Sequence, residues 1–227
     1  MCGIVGYIGN KKASKIILDG LKRLEYRGYD SAGISTVQKG NILTTKCKGK
    51  VNFLEDKISS KAHNGTIGIG HTRWATHGKP SDKNSHPHND KDNKISLVHN
   101  GIIENHYTLK KYLSSQGYDF KSDTDTEVLV QLINHIYHTQ KIDFVESVRI
   151  ALHEVVGAYG IVIMFEDEPD KLIAAKLGSP LIIGIGDDEY FIASDSSPII
   201  EHTRNIVVLD EGEMAIISKD KYEIRKI

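Results

Sequence analysis

The chain of 227 residues has only two cysteines, one tryptophan and five prolines, and its 29 lysines and arginines nearly cancel 30 aspartates and glutamates. Each shortage closes a class of explanation. Two cysteines, Cys2 and Cys47, are too few for a disulfide scaffold, and they read as free thiols of a reducing compartment. A net charge of −1 supplies no long-range field to gather phosphate backbones or anionic lipid, so neither nucleic acid nor a membrane surface is expected as a partner. The longest nearly apolar run, 157–165, falls far short of the ~20 residues a helical span needs. The N-terminus reads CGIVGYIG before it reaches Lys11 and Lys12, which inverts the order of a signal peptide and predicts a cytoplasmic protein. No low-complexity tract, internal repeat or Pro/Gly/Ser-rich linker interrupts the chain, so residues 1–227 are expected to form one domain.

What is present is an ordinary globular composition, 39% hydrophobic and 26% charged. Short Ile- and Val-rich runs bounded by Gly, Asn or Asp read as strands at 2–8, 31–37, 42–46, 66–71, 95–99, 158–166, 172–177, 181–185, 190–194, 206–209 and 213–218, with a charged strand near the end. Ile17, Leu21 and Leu24 repeat with helical period, as do Val128, Leu129, Leu132, Ile133 and Ile136. Thr124 with Glu127, and Asp143 with Glu146, have the spacing of helix N-terminal caps, while Gly117 and Gly157 sit where helices should stop. This order of elements is not the strict alternation of a parallel doubly wound sheet, and it favours an α+β protein of two packed sheets with helices outside.

The chemistry begins at Cys2. Removal of Met1 would leave a cysteine with a free α-amine, whose pKa of ~7.7–8.0 lies close enough to the ~8.5 of a thiol for the amine to take the thiol's proton at neutral pH. Gly3 and Gly6 within the following strand mark close approach of a ligand or of another backbone. An Asn-Gly pair, Asn100–Gly101, reads by itself as a hairpin turn after a strand ending at His99.

Seven segments in order, CGIVGYIG, LEYRGYDSAGI (24–34), GHTRWATHG (70–78), HPH (86–88), VHNGIIENH (98–106), SDTDTEV (122–128) and GAYGIVIM (157–164), resemble the N-terminal glutaminase half of the glutamine:fructose-6-phosphate aminotransferases, within the class II glutamine amidotransferases. The resemblance implies the four-layer αββα sandwich of the N-terminal-nucleophile hydrolases, with two mainly antiparallel sheets. It implies L-glutamine as substrate, no cofactor and no metal, and a sugar-isomerase domain or subunit, absent from these residues, that accepts the ammonia. Cys2 would be the nucleophile, and Asn100 and Gly101 the oxyanion donors. Arg73 would bind the α-carboxylate through its planar fork, and Asp125 the α-ammonium. Trp74, Thr76 and His77 belong to a stretch that closes over the bound amino acid in the family, while Arg27 and Asp30 are expected to support the groups that touch it. Three other readings compete on the residues alone. One is a metal-binding module built from His71, His77, His86, His88, His99 and His106, which have neither an HExxH nor a CxxC spacing. Another is a simple cysteine–histidine dyad of Cys2 with His71 or His99. The third is a non-enzymatic regulatory domain, since a chain that keeps Met1 would lack the amine and is expected to be inert.

Overall fold

The computed structural model describes residues 2–74 and 78–227. Among these the chain forms β1 (Gly3–Ile8), α1 (Ala13–Leu24), β2 (Ser31–Gln38), β3 (Asn41–Lys48), α2 (Val51–Ser59), β4 (Ile67–Arg73), β5 (His88–Asn89) and β6 (Ile95–Ile103). Then follow α3 (His106–Ser115), α4 (Asp125–Gln140), α5 (Phe144–His153), β7 (Gly157–Phe165), β8 (Lys171–Leu177), β9 (Ile182–Ile185), β10 (Tyr190–Ala193), β11 (Ile206–Val208), β12 (Glu213–Ser218) and β13 (Tyr222–Lys226). The strands assemble into a seven-stranded sheet, β11-β9-β10-β1-β4-β2-β3, and a six-stranded sheet, β13-β12-β8-β7-β6-β5. Neighbouring strands run antiparallel, including β1 with β4 and β10, and β6 with β7.

Strand alternation sorts side chains into layers. On β1, Ile4 and Ile8 face the other sheet, where they meet Val98 and Val162, whereas Val5 and Tyr7 face α1 and α2. Ile17, Leu21 and Leu24 of α1 are fully buried on that outer side, each stabilising by about 1.5–3 kcal/mol relative to exposure. On the second sheet Leu97, Ile161 and Ile163 turn to α4 and α5, which bury Leu129, Leu132, Ile133 and Val148. Three apolar layers therefore separate four structural ones, giving the expected αββα sandwich.

The helix caps follow the sequence. The Thr124 side chain accepts a hydrogen bond from the Glu127 N–H, and Asp143 accepts one from Glu146. Glu127 reaches back past its own cap and accepts from the N–H groups of Lys121 and Ser122.

Three local expectations are corrected. Asn100–Gly101 is no hairpin turn, because β6 continues through it to Ile103 and pairs Asn100 with Gly160 and Gly101 with Tyr159 of β7. Gly157 opens β7 instead of ending a helix, and its φ of +132° is a backbone state closed to most residues. Gly3 is small because a Cβ there would lie 2.6 Å from Thr72 Oγ1 and 2.7 Å from Leu24 Cβ, so the close approach is to core side chains. The two-residue β5 was too short to show a strand pattern.

Candidate active site

The alternation that builds the inter-sheet layer also delivers the candidate site to its edge. Along β4 the residues facing the second sheet are Ile69, then His71, then Arg73, so one face passes from apolar core to buried imidazole to guanidinium within five positions. Cys2 precedes Ile4 on the same face of β1, and Asn100 follows Val98 on β6. These residues meet at a cavity of about 270 Å³, lined among others by Cys2, Arg27, Arg73, Trp74, Asn100, Gly101 and Asp125.

The Cys2 thiol is partly buried, and its hydrogen bonds go to one backbone unit. The Trp74 N–H donates to Sγ at 3.3 Å, and the thiol faces the Trp74 carbonyl at 3.6 Å. Burial pushes the thiol pKa up, against the smaller opposing pull of the Trp74 N–H. A group in that state is protonated at neutral pH and needs a base before it can attack.

Asn100 Nδ2 donates to the Cys2 carbonyl oxygen at 3.2 Å, which ties β6 to the residue carrying the thiol. Gly101 has φ +127°, and a Cβ there would lie 2.0 Å from the carbonyl oxygen of Ala158. No other residue fits without moving β7. Asp125, the first residue of α4, is 6% exposed; its Oδ2 accepts from the Ile103 N–H at 2.9 Å and its Oδ1 from the Thr126 N–H at 3.0 Å. A carboxylate there is anchored by amides at a helix N-terminus while it lines the cavity. Arg73 is 4% exposed and donates from a terminal nitrogen to the Gly78 carbonyl oxygen at 3.4 Å. A cation and an anion thus share one small cavity with a thiol, an arrangement matched to a zwitterionic amino acid.

Trp74 is half-exposed, with its ring edge-on to Tyr29 at 5.5 Å. Arg27 donates to Asp195 at 3.1 Å and lines the cavity itself. Asp30 lies behind it: its N–H donates to the Arg73 carbonyl oxygen at 3.1 Å, and its carboxylate accepts from Ser31 Oγ at 2.9 Å. Thr76 and His77 lie outside the described residues.

Of the histidines in the metal reading, His71, His86, His88 and His99 are internal polar residues, whereas His106 is partly exposed, with Nδ1 2.7 Å from the Ile103 carbonyl oxygen, and His77 lies outside the described residues. His71 and His86 stack at 4.1 Å, His86 meets His88 at 4.9 Å, and His99 Nδ1 pairs with Thr126 Oγ1 at 3.0 Å. Burial lowers the pKa of His71 to about 3 and holds His86 and His88 well below the usual imidazole value, so all three are neutral near pH 7. Among the described residues no three His, Cys, Asp or Glu form a metal-ligand group. His71 Nε2 is engaged by Asn100 Oδ1 and the His99 carbonyl oxygen, both at 3.0 Å, and neither His71 nor His99 hydrogen-bonds the Cys2 thiol, which leaves the simple dyad without its defining contact.

A family model described as a glutamine amidotransferase domain matches residues 71–201. The chain belongs to that family. The glutamine–fructose-6-phosphate aminotransferase (isomerizing) of Bacteroides thetaiotaomicron is 53% identical over 222 residues, 97% of this chain and 36% of the relative. That of Pyrococcus horikoshii is 51% identical over 227 residues, 100% of this chain and 38% of the relative. The chain therefore spans little more than a third of the length of these relatives. The glutamine phosphoribosylpyrophosphate amidotransferase of B. subtilis superposes with a TM-score of 0.86 at 29% identity, covering 99% of this chain and 49% of that one.

Some cavity residues of this glutamine amidotransferase domain gave no signal as such in the sequence. Ser179 and Pro180, between β8 and β9, line the cavity because Gly160 leaves room for them: a Cβ at Gly160 would stand 3.3 Å from Ser179 Cβ. His86 and Thr126, which lie inside the HPH and SDTDTEV segments but were given no place in the amino-acid site, also line it, brought together where the segment before β5 meets α4. Their spacing in sequence carries no periodicity that links them to Cys2.

Proposed function

We propose that this domain hydrolyses the side-chain amide of L-glutamine, with Cys2 as nucleophile after removal of Met1, and that in the full-length protein the ammonia converts fructose 6-phosphate to glucosamine 6-phosphate on a sugar-isomerase domain outside residues 1–227. The observation that carries this reading is the convergence of Cys2, Arg73, Asn100, Gly101 and Asp125 on one cavity of about 270 Å³. Arg73 binds the α-carboxylate and Asp125 the α-ammonium, which fixes the amide carbon of the substrate in front of Sγ. Trp74 covers the bound amino acid, and Thr76 and His77 are assigned to substrate binding by the resemblance alone. Arg27, and Asp30 through the Arg73 backbone, hold the binding groups in place.

The α-amine of Cys2 takes the thiol proton, and the thiolate forms a C–S bond to the amide carbon. Negative charge moves to the amide oxygen, where Asn100 Nδ2 and the Gly101 N–H receive it; each such donor contributes about 3–4 kcal/mol in comparable sites. The protonated amine then gives its proton to the leaving nitrogen, the C–N bond breaks and ammonia departs. Water attacks the γ-glutamyl thioester, releasing glutamate and restoring the thiol. The raised pKa of the thiol supports the need for an adjacent base. Each step uses protein groups and water alone.

The test is glutamate formation by mass-verified chain lacking Met1, beside a Cys2→Ala control. Turnover in the first and none in the second is expected; equal activity in both would refute the assignment of Cys2. Chain retaining Met1 is expected to be inactive.

A further inference from the structure

His71 is fully buried, does not line the cavity and does not hydrogen-bond the thiol, yet it holds a group that lies beside both. Its Nε2 stands 3.0 Å from Asn100 Oδ1 and 3.0 Å from the His99 carbonyl oxygen. The carbonyl oxygen of His99 can only accept, so Nε2 carries the proton and donates to both oxygens. The orientation of the Asn100 amide then follows. Oδ1 faces the imidazole N–H, and Nδ2 faces the Cys2 carbonyl oxygen at 3.2 Å. A flipped amide would set Oδ1 against that carbonyl and leave the imidazole N–H facing an NH2 group. Nδ2 has two hydrogens, of which the Cys2 carbonyl takes one and the cavity can take the other. Among the described residues no other side chain donates to Asn100 Oδ1, and His71 Nδ1 has no partner of its own. The ring is held flat against His86 at 4.1 Å, so the donor has a fixed position.

We propose that His71 is a positioning residue for the oxyanion donor: its Nε2–H locks the Asn100 amide with Nδ2 toward Cys2 and the cavity. This rests on the glutaminase reading above and adds a residue to it. Without the lock, the Asn100 side chain can turn, and an oxygen facing the developing oxyanion would oppose the reaction.

The test compares two amide replacements of similar polarity. His71→Gln can place an N–H near the position of Nε2, whereas His71→Asn places its amide near the unpartnered Nδ1. Expected is a kcat within a few-fold of wild type for Gln and a loss on the order of 10- to 100-fold for Asn, part of the value of one oxyanion donor. The KM for glutamine and the rate of Cys2 alkylation by a glutamine-like alkylating agent should stay unchanged in both. In an Asn100→Ala background, His71→Asn should cause no further loss. Equal losses for Gln and Asn, a change confined to KM, or an undiminished effect in the Asn100→Ala background would overturn the proposal. If the unaltered chain does not turn over glutamine, the glutaminase reading fails on its own. The side-chain amide resonances of Asn100 then decide the question for His71: they should persist in His71→Gln and broaden or shift in His71→Asn, and identical resonances in both would refute the lock.

Discussion

The layer between the two sheets has two ends of opposite character, built by the same alternation. At one end Ile4, Ile8, Ile69, Val162 and Ile183 pack as an apolar core. At the other, His71, His86, Asn100 and Arg73 are also buried but are held by hydrogen bonds and ring stacking, which leave His71 Nδ1 without a partner. On β4 the change takes two residues, from Ile69 to His71. The apolar end contributes stability through area removed from water, and it is tolerant of which apolar side chain is used. The polar end contributes little net stability, since each buried hydrogen bond mainly replaces one to water, but every group there has a fixed direction. Stability and directionality are thus housed side by side, and substitutions should separate them.

The largest effect is expected from Gly101→Ala at the polar end. Its Cβ would sit 2.0 Å from the Ala158 carbonyl oxygen. Displacement of the Gly101 N–H should lower kcat by on the order of 100- to 1000-fold, with backbone strain of about 1–3 kcal/mol; glutamate assays and thermal melts read the two losses separately. Ile69→Ala breaks the comparison from the other side. This fully buried residue should cost about 2–5 kcal/mol in a denaturant titration, while kcat of the folded protein below its transition stays near wild type. A kcat loss as large as that of Gly101→Ala would mean that the two ends are not separable.

The smallest effect per group comes from acid. The pKa of His63 is lowered by burial to about 4 and that of His71 to about 3, against about 6.5 for an unfolded imidazole. The folded chain therefore binds fewer protons than the unfolded one between those values. Stability from each ring is complete above pH ~6.5 and falls by up to ~1.4 kcal/mol per pH unit as acid is added, until the folded ring itself titrates. Melting temperature measured from pH 7 to pH 5 should drop, and His63→Asn should flatten the dependence. A melting temperature that rises toward pH 5 would contradict these directions.

Legibility in the sequence followed periodicity. The layered α+β architecture, most strands and both helix caps could be read because alternation and cap spacing are local. Gly157 and Asn100–Gly101 were misread because the pairing of β6 with β7, strands distant in the sequence, places them within a sheet. Of the candidate site, Cys2, Arg73, Asn100, Gly101 and Asp125 came from motif resemblance, and they converge on one cavity. Ser179 and Pro180 could not be found that way, since they lie outside every matching segment and only the approach of the 178–180 loop to β7 sets them beside Cys2. The direction of the Asn100 amide was equally invisible, because it depends on an imidazole 29 positions away in the chain.

The most direct test of the account is acid-quenched mass spectrometry of the Met1-free chain during turnover of glutamine. A γ-glutamyl adduct confined to the peptide bearing Cys2, appearing with substrate and decaying as glutamine is exhausted, is the expected result. Steady turnover with the Cys2 peptide unmodified, or with the adduct on Cys47, would contradict it.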